Sequence, residues 1–423
     1  MPAKLALLDI NKLAIGFSGG GDSTALLSRV LKHTTIETKI HVLIVDHALR
    51  EGSASEAKLA ARRADAMGKS RVKAQILTWR GQKPKTAIQE KARLARYDLL
   101  GSACRKLGIE MLLLGHNEDD QAETILMREE GGSTWRGLAG MTAQSYAPIW
   151  PELYKITLVR PLLGINRQTI RDYNQEQGLA YSNDPSNENR DFTRIRTRDK
   201  LANNSSLKMS ALKTAKQSRA KLTKEKQAIF EIFKSSVDVS NWGGIYLAKN
   251  VLGETACASV LRILLLAASG QRYFTPPDKL ATLAKRMHTP EFSGATLGGA
   301  QIINEEKQFL IIRDPGKVLG RNESLAIAPL CLDPGAEQIW DGRFLVKTAL
   351  ANIQINPFSA CVRPLLKEKL AGLSCVPYAA RITMPVFTQN NVFMCAEFAN
   401  FHKPHMDFSV KCLISERIKA LML

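Results

Sequence analysis

Residues Lys12–Ser23, KLAIGFSGGGDS, decide the fold. A short β-favouring run ends at Phe17 and gives way to Ser-Gly-Gly-Gly-Asp-Ser. Thr24–Val30 then reads as helix. A strand that breaks into glycines and restarts as a helix presents successive backbone N–H groups at a helix N-terminus, which is a cradle for phosphate. The segment lacks the Gly-Lys-Ser/Thr ending of a Walker loop and the G-x-G-x-x-G spacing of a dinucleotide site. Three glycines between Ser18 and Asp22-Ser23 exceed what a plain helix cap requires.

The pattern around this turn repeats. Strands are expected at Leu13–Phe17, Ile40–Val45, Val72–Leu77 and Met111–Leu114. Helices are expected at Ser23–His33, Ala54–Met67, Ala87–Leu107 and Asp120–Glu130. Ser53 with Glu56, and Thr86 with Gln89, have the spacing of capping boxes. Strand-helix alternation with short loops predicts an α/β fold, a doubly wound parallel sheet covered on both faces. Ligands of such sheets bind beyond the carboxyl ends of the strands.

Several polar segments follow predicted strands and can meet on that edge. Leu112–Thr124, LLLGHNEDDQAET, brings His116, Asp119, Asp120 and Glu123; Asp120 and Glu123 share a helical face. Two carboxylates beside a phosphate cradle suit Mg²⁺, which takes one or two carboxylates plus phosphate oxygens. As the plain alternative, Asp119 is an N-cap and its neighbours favour the helix dipole. VDHALR, Val45–Arg50, places Asp46 and His47 at a strand exit. ARLARY, Ala92–Tyr97, sets Arg93 and Arg96 on neighbouring helical turns. GGSTWRGLAGM, Gly131–Met141, offers Arg136 in a glycine-rich loop. In DPSNENRDFTRIRTRDK, Asp184–Lys200, Arg190, Arg194 and Arg198 recur at i, i+4 and i+8. Three guanidinia on one stripe repel one another unless they meet anions, and arginine grips phosphate bidentately.

The chain of 423 residues holds 59 Lys+Arg against 40 Asp+Glu, a formal charge of +19. That excess points to a polyanion, and nucleic acid is favoured over membrane because no long amphipathic helix with aromatic anchors stands out. No apolar run is long enough to cross a bilayer. The seven cysteines lack any C-x-x-C spacing and read as reduced thiols of a cytoplasmic protein. Leu201–Ser235 carries eight Lys/Arg, among them Lys216 and Arg219, with two Glu and no Pro or Gly; it reads as a basic helical linker. From Ser236 to Pro315 a small helical-plus-strand module is expected, with a hairpin about Glu305-Glu306-Lys307. Gly316–Leu423 has short β-like runs at Phe344–Thr348, Ile382–Val386 and Val392–Ala396, and a basic patch at Arg363–Lys369.

Ser18–Ser23 resembles the SGGxDS signature of the PP-loop ATP pyrophosphatases, whose domain is HUP-like. The ordered set SGGGDS, VDHALR, ARLARY, GHNEDDQAET, Gly137–Met141, RPLL at Arg160–Leu163 and DPSN at Asp184–Asn187 resembles one branch, the tRNA(Ile)-lysidine synthetases. The likeness is close over residues 12–198. It is looser beyond, where GATLGG, IWDGRF and KEKLAGLSCVPYAARITMPVF resemble two appended tRNA-binding domains. The resemblance implies a PP-loop catalytic domain at 1–203, a basic helical linker and tRNA-binding domain at 204–315, and a second small α+β domain at 316–423.

It also implies the activity: lysine is joined to the wobble cytidine of a CAU-anticodon tRNA(Ile) through an adenylated base, with ATP and Mg²⁺. The expected ATP-binding set is Ser18, Gly19, Gly20, Gly21, Asp22, Ser23, Asp46 and His47, with Asp22 and Asp120 for the metal. Asp22, His116, Asp120, Glu123, Arg190 and Arg194 are the expected catalytic group. Arg93, Arg96, Arg136, Arg190, Arg194, Arg198, Lys216 and Arg219 are the expected tRNA contacts. Free lysine is the second partner, membrane is not one, and a homodimer is an admissible assembly. The chain departs from the family at Asn117, where a second histidine is usual, and at Asp191, where asparagine is usual. A 2-thiolation enzyme of the same superfamily is the rival reading; its relatives of this type carry paired C-x-x-C motifs. A small-molecule amidotransferase would give no reason for the charge, and a non-catalytic RNA-binding protein none for the three carboxylates.

Overall fold

The computed structural model describes residues 10–182, 193–321, 326–358, 373, 376–390, 392–396, 401–402 and 407–422. The chain folds as two compact units, Met1–Lys224 and Glu225–Leu423. The boundary falls inside one long helix, Ser205–Ser236.

The first unit is built on six strands: β1 (Lys12–Gly16), β2 (Lys39–Asp46), β3 (Val72–Thr78), β4 (Met111–Leu114), β5 (Gln144–Tyr146) and β6 (Thr157–Val159). Their order is β3-β2-β1-β4-β6-β5. All pairs run parallel except β5 with β6. The sheet is therefore mixed, mostly parallel, with an antiparallel edge strand that the expected all-parallel sheet did not include. The central strands are near-continuous apolar runs because helices cover both faces. On one face Leu13, Ile15, Ile40 and Val42 pack with Leu26, Val30 and Ala64; on the other Ala14, Leu43 and Leu112 pack with Tyr97, Leu100 and Cys104.

The helices are α1 (Gly21–His33), α2 (Ser53–Gly68), α3 (Ile88–Leu107), α4 (Glu118–Glu130), α5 (Arg167–Glu176), α6 (Thr193–Ala202) and α7 (Ser205–Ser236). Neither expected capping box forms. α2 is preceded by Gly52 at φ +87° and α3 by Ala87 at φ +51°, both without a side-chain cap. Ser53 is already helical, and Glu56 instead takes a two-pronged bond from Arg50. The capping box lies at α4. Asn117 accepts from the Asp120 amide at 2.9 Å, and the Asp120 carboxylate accepts from the Asn117 amide at 3.0 Å. Asp119 is no cap of its own helix; it accepts from the Arg167 backbone amide at 2.7 Å, at the start of α5.

Strand order reverses between β1 and β4, so their carboxyl ends flank a crevice. Gly16-Phe17-Ser18 and Gly115-His116 leave the sheet there. The two exits are close: a Cβ on Gly115 would stand 3.1 Å from the Asp22 carbonyl carbon.

The second unit is built on antiparallel sheets. Five strands over Val237–Arg313 pair in one sheet, with the expected hairpin joining Ala300–Asn304 to Gln308–Arg313. The apolar helix Cys257–Ser269 buries Val260, Leu261 and Leu264 against Ile245, Ile302 and Ile311. Phe344–Thr348 and Val392–Ala396 are strands as expected, whereas the run expected at 382–386 starts later, at Pro385–Gln389. Arg313 and Arg343 converge on one buried carboxylate, Asp341, at 3.0 and 2.7 Å. The patch Arg363–Lys369 lies outside the described residues. Among the described residues no helix is long and apolar enough to cross a membrane.

Candidate active site

The glycine turn is braced from three sides. Gly19 has φ +78°, a region where side chains are strained, and an added Cβ would sit 3.0 Å from the Ala60 methyl. The Gly19 carbonyl accepts from the Ser182 amide at 2.9 Å, and the Gly21 carbonyl from Asn174 Nδ2 at 3.0 Å. Ser23 Oγ donates to the Gly20 carbonyl at 2.9 Å and accepts from the Ser18 amide at 3.3 Å. These bonds fix the course of the turn, and α1 starts at its end with Gly20 as an uncapped N-cap. Unsatisfied amides at a helix start are what phosphate oxygens use.

Asp22 lies in the first turn of α1. Burial raises its pKa above the usual carboxylate value, and the Asp120 charge raises it further; Arg167 opposes both. Two carboxylates pressed together beside phosphate donors make a site that a divalent cation relieves.

Asp120 and Glu123 share one face of α4, as their spacing implied. Glu123 is 1% exposed. Its carboxylate accepts from Arg194 Nε and Arg198 Nε, both at 2.8 Å, and from Arg167 Nη2 at 3.3 Å. Asp120 Oδ1 accepts from Arg194 Nη2 at 2.9 Å and Arg167 Nη2 at 3.2 Å. Burial pushes Glu123 upward, but Arg198 and Arg194 outweigh it and hold the group below its ordinary value. The anions that the arginine stripe requires are thus, in this state, the chain's own carboxylates. Arg190 of that stripe lies outside the described residues, as does Asp191. Arg167 was not foreseen: a single arginine opening RQTIRDY carries no spacing signal, although it touches both central carboxylates.

His116 lies two residues beyond β4, and His47 follows Asp46, the last residue of β2, which is buried and accepts from the Ala48 amide at 2.9 Å. Burial, then Arg96, Arg160, Arg194 and Arg93, lower His116 to about 2. His47 is lowered by burial and by Arg96. Both imidazoles are neutral at ordinary pH. For His116 the folded-state value lies far below the 6.5 of an unperturbed ring, so protons favour the unfolded chain and stability is lost as pH falls below 6.5. Between about pH 7 and pH 5 this amounts to about 2 kcal/mol. A His116→Gln protein should lack that part of the acid sensitivity, as read by denaturation midpoints at the two pH values; equal losses in both proteins would show that His116 is not held neutral.

The remaining expected contacts lie on α3, on α7 and in the loop Gly131–Met141. Arg93 lies over the Tyr97 ring, 5.1 Å from its centroid. Arg136 and Lys221 each stand 4.5 Å from the Trp135 ring. Lys216 is exposed on α7. Arg219 points inward, donating to the carbonyls of Ala139 and Met141 at 3.2 and 3.0 Å. Gln121 clasps Met141 from α4, accepting from its amide at 2.8 Å and donating to its carbonyl at 2.9 Å. The glycine-rich loop Gly137–Met141 is therefore fixed in place by α4 and α7.

Glycine amides at a switch point, faced by paired carboxylates, define a PP-loop ATP-binding domain, and the sequence pattern of the PP-loop domain matches residues 3–205. A longer likeness refines this. The chain is 34% identical over 378 residues to the tRNA(Ile)-lysidine synthase of Caulobacter vibrioides, covering 88% of this chain and 83% of that one. With the same enzyme of Hyphomonas neptunium it shares 35% over 302 residues, 70% of this chain and 79% of that one. With that of Mesorhizobium japonicum it shares 34% over 333 residues, 77% and 70%. The chain belongs to the tRNA(Ile)-lysidine synthase family.

Proposed function

We infer that this chain joins free lysine to the 2-position of the wobble cytidine of a CAU-anticodon tRNA(Ile), working as an ATP-dependent ligase in the cytoplasm. The observation that carries the chemistry is the Asp22–Asp120 pair set beside the Gly19–Gly21 amides at the strand-order switch.

In the first step the 2-keto oxygen of cytidine attacks the α-phosphorus of ATP. The bond to the β-phosphate oxygen breaks and pyrophosphate leaves. The amides of Gly19–Gly21 and the hydroxyls of Ser18 and Ser23 hold the departing phosphates. Asp46 and His47, at the end of β2, serve the nucleotide end. Asp22 and Asp120 are the carboxylates that would hold Mg²⁺, which supplies neutralisation of the phosphate charge. In the second step the lysine side-chain amine attacks C2 of the activated base, and AMP leaves with the oxygen. An ammonium has no lone pair, so a carboxylate must take its proton first. Asp120 and Glu123 are placed for this once Arg194 and Arg198 turn to phosphate. His116, neutral, contributes hydrogen bonding rather than charge. Arg190 and Arg194 complete the catalytic group. Arg93, Arg96, Arg136, Arg198 and Lys216 face RNA, and Arg219 acts by fixing the loop that carries Arg136. The three-part organisation at 1–203, 204–315 and 316–423 assigns the tRNA body to the two later parts. A homodimer is compatible with this scheme.

The test is incubation with ATP, labelled lysine and tRNA(Ile) bearing CAU. Label should enter the RNA with one AMP and one pyrophosphate per lysine; stoichiometric ADP would exclude the scheme. Ornithine, one methylene shorter, should react about a hundredfold more slowly, because a shortened amine stops short of the activated carbon. Equal rates would exclude a length-measuring site.

A further inference from the structure

Four arginines, from α3, from α4 and from the segment after β6, gather between the end of β1 and the Gly137–Thr142 loop, and none of them meets a carboxylate among the described residues. Arg93 and Arg96 are three apart on α3. Arg96 reaches the end of β1: a Cβ on Gly16 would stand 3.9 Å from Arg96 Nη2. Arg128, in the last turn of α4, donates to the Gly137 carbonyl at 2.7 Å. Arg160, just beyond β6, is 7% exposed and donates to the Thr142 carbonyl at 2.9 Å, while its Nε has no hydrogen-bond partner. After burial itself, Arg93 is a cause that depresses Arg96, Arg128 and Arg160 alike. His116 faces three of them, Arg93, Arg96 and Arg160, with a buried Nδ1 that has no partner among the described residues. The contrast with Arg167, Arg194 and Arg198 is plain, since the first two meet both Asp120 and Glu123 and the third meets Glu123. Arg93 is exposed, whereas Arg96 and Arg128 are half-buried and Arg160 is buried. Like charges gathered at a partly buried place without counter-ions are costly, so the cluster is built for an anion that comes from outside.

We propose that Arg93, Arg96, Arg128 and Arg160 form one pocket for a phosphodiester group of the RNA strand beside the reacting cytidine. The proposal rests on the tRNA substrate argued above and adds Arg128 and Arg160 to the binding machinery. Among the anions the reaction offers, the ATP tail already has the Gly19–Gly21 amides. Free lysine carries a net positive charge, which the cluster repels. A backbone phosphate brings two free oxygens that guanidinium forks match bidentately. Phosphate contacts fix register rather than sequence, so the pocket holds the nucleotide while other groups read the base.

The test uses the full chain and a synthetic CAU anticodon stem-loop RNA, with binding followed by anisotropy at several salt concentrations. Arg93 and Arg96 donate no hydrogen bond within the described residues, so Arg93→Gln and Arg96→Gln should melt as the parent does. Each should weaken RNA binding about tenfold. Each should also reduce the slope of log K against log salt by about 0.7, the single-strand value per phosphate. Arg96→Lys should restore the slope, and Arg128→Gln should repeat the loss. ATP affinity and the KM for lysine should stay within about twofold. Unchanged RNA affinity with a raised lysine KM would assign the pocket to a carboxylate and overturn the proposal. Unchanged RNA affinity with weakened ATP binding would overturn it in favour of the nucleotide. If the parent ligates lysine to RNA while these variants bind RNA as it does, the pocket fails and the function stands. If the parent binds no CAU stem-loop, both fail.

Discussion

Glu123→Ala is expected to destabilise the PP-loop unit by about 3 kcal/mol, the low end for removing one member of a buried ion pair. The low end applies because Arg194 and Arg198 keep partial access to water, with side chains 41% and 31% exposed. Glu123 accepts from three guanidinia, and Asp120 can take over only part of that load. Arg198 would lose its carboxylate entirely. Glu123→Gln keeps the shape and some of the bonds, so it should fall between the two. The sign with pH follows from the depressed value of Glu123. Its stabilisation is present above the ordinary glutamate range and is lost as pH falls through it, so parent and variant should converge in acid. Chemical denaturation of the full chain, with hydrogen exchange followed on α4 and α6, separates this effect from the second unit. A Glu123→Ala protein with the parent midpoint and unaltered exchange at Arg194–Arg198 would refute the carboxylate-arginine cage. Ligation should fall as well, because the same arginines lose their orientation.

The cage also shows what the sequence conveyed and what it withheld. The glycine turn was legible because consecutive glycines after an apolar run have few other uses. The carboxylates Asp120 and Glu123 were legible because i, i+3 spacing on a helix is fixed by geometry. The arginine stripe was recognised as needing anions, but periodicity along one helix says nothing of which distant element supplies them. Arg167 escaped for a related reason: it stands alone in its segment, and its role arises from the start of α5 being pinned to Asp119. The capping boxes at Ser53 and Thr86 matched a four-residue spacing, yet left-handed residues at Gly52 and Ala87 start those helices differently. β5 and β6 span three residues each, too few for any alternation to register. In the sequence Arg219 is one more cation on a basic helix, while the structure turns it inward to loop carbonyls that no sequence pattern marks.

Asp22→Ala should abolish adenylation, by at least a thousandfold as an order of magnitude for removing a preorganised electrostatic group, and should not weaken the fold. The second half of that expectation comes from the charge environment. Burial and the nearby Asp120 both raise Asp22, so its ionised form is disfavoured in the folded chain. A carboxylate with a raised folded-state value contributes stability below its unfolded value and loses it as pH rises. At neutral pH the ionised group is a cost, and Asp22→Asn should melt at or above the parent temperature. Mg²⁺ with a non-hydrolysable ATP analogue should raise the melting point of the parent and much less that of the variant, a readout independent of turnover. Gly20→Ala provides the companion test. A Cβ there meets only Ser18 Oγ at 3.4 Å and the Ser182 carbonyl at 3.8 Å, ordinary contacts at an ordinary φ. The protein therefore has room for the methyl, and only a ligand lying against the amide would be displaced by it. Loss of ATP binding in a normally folded Gly20→Ala protein would place the phosphates on this turn. Normal ATP binding by Gly20→Ala together with normal pyrophosphate release by Asp22→Ala would move the chemistry elsewhere in the chain.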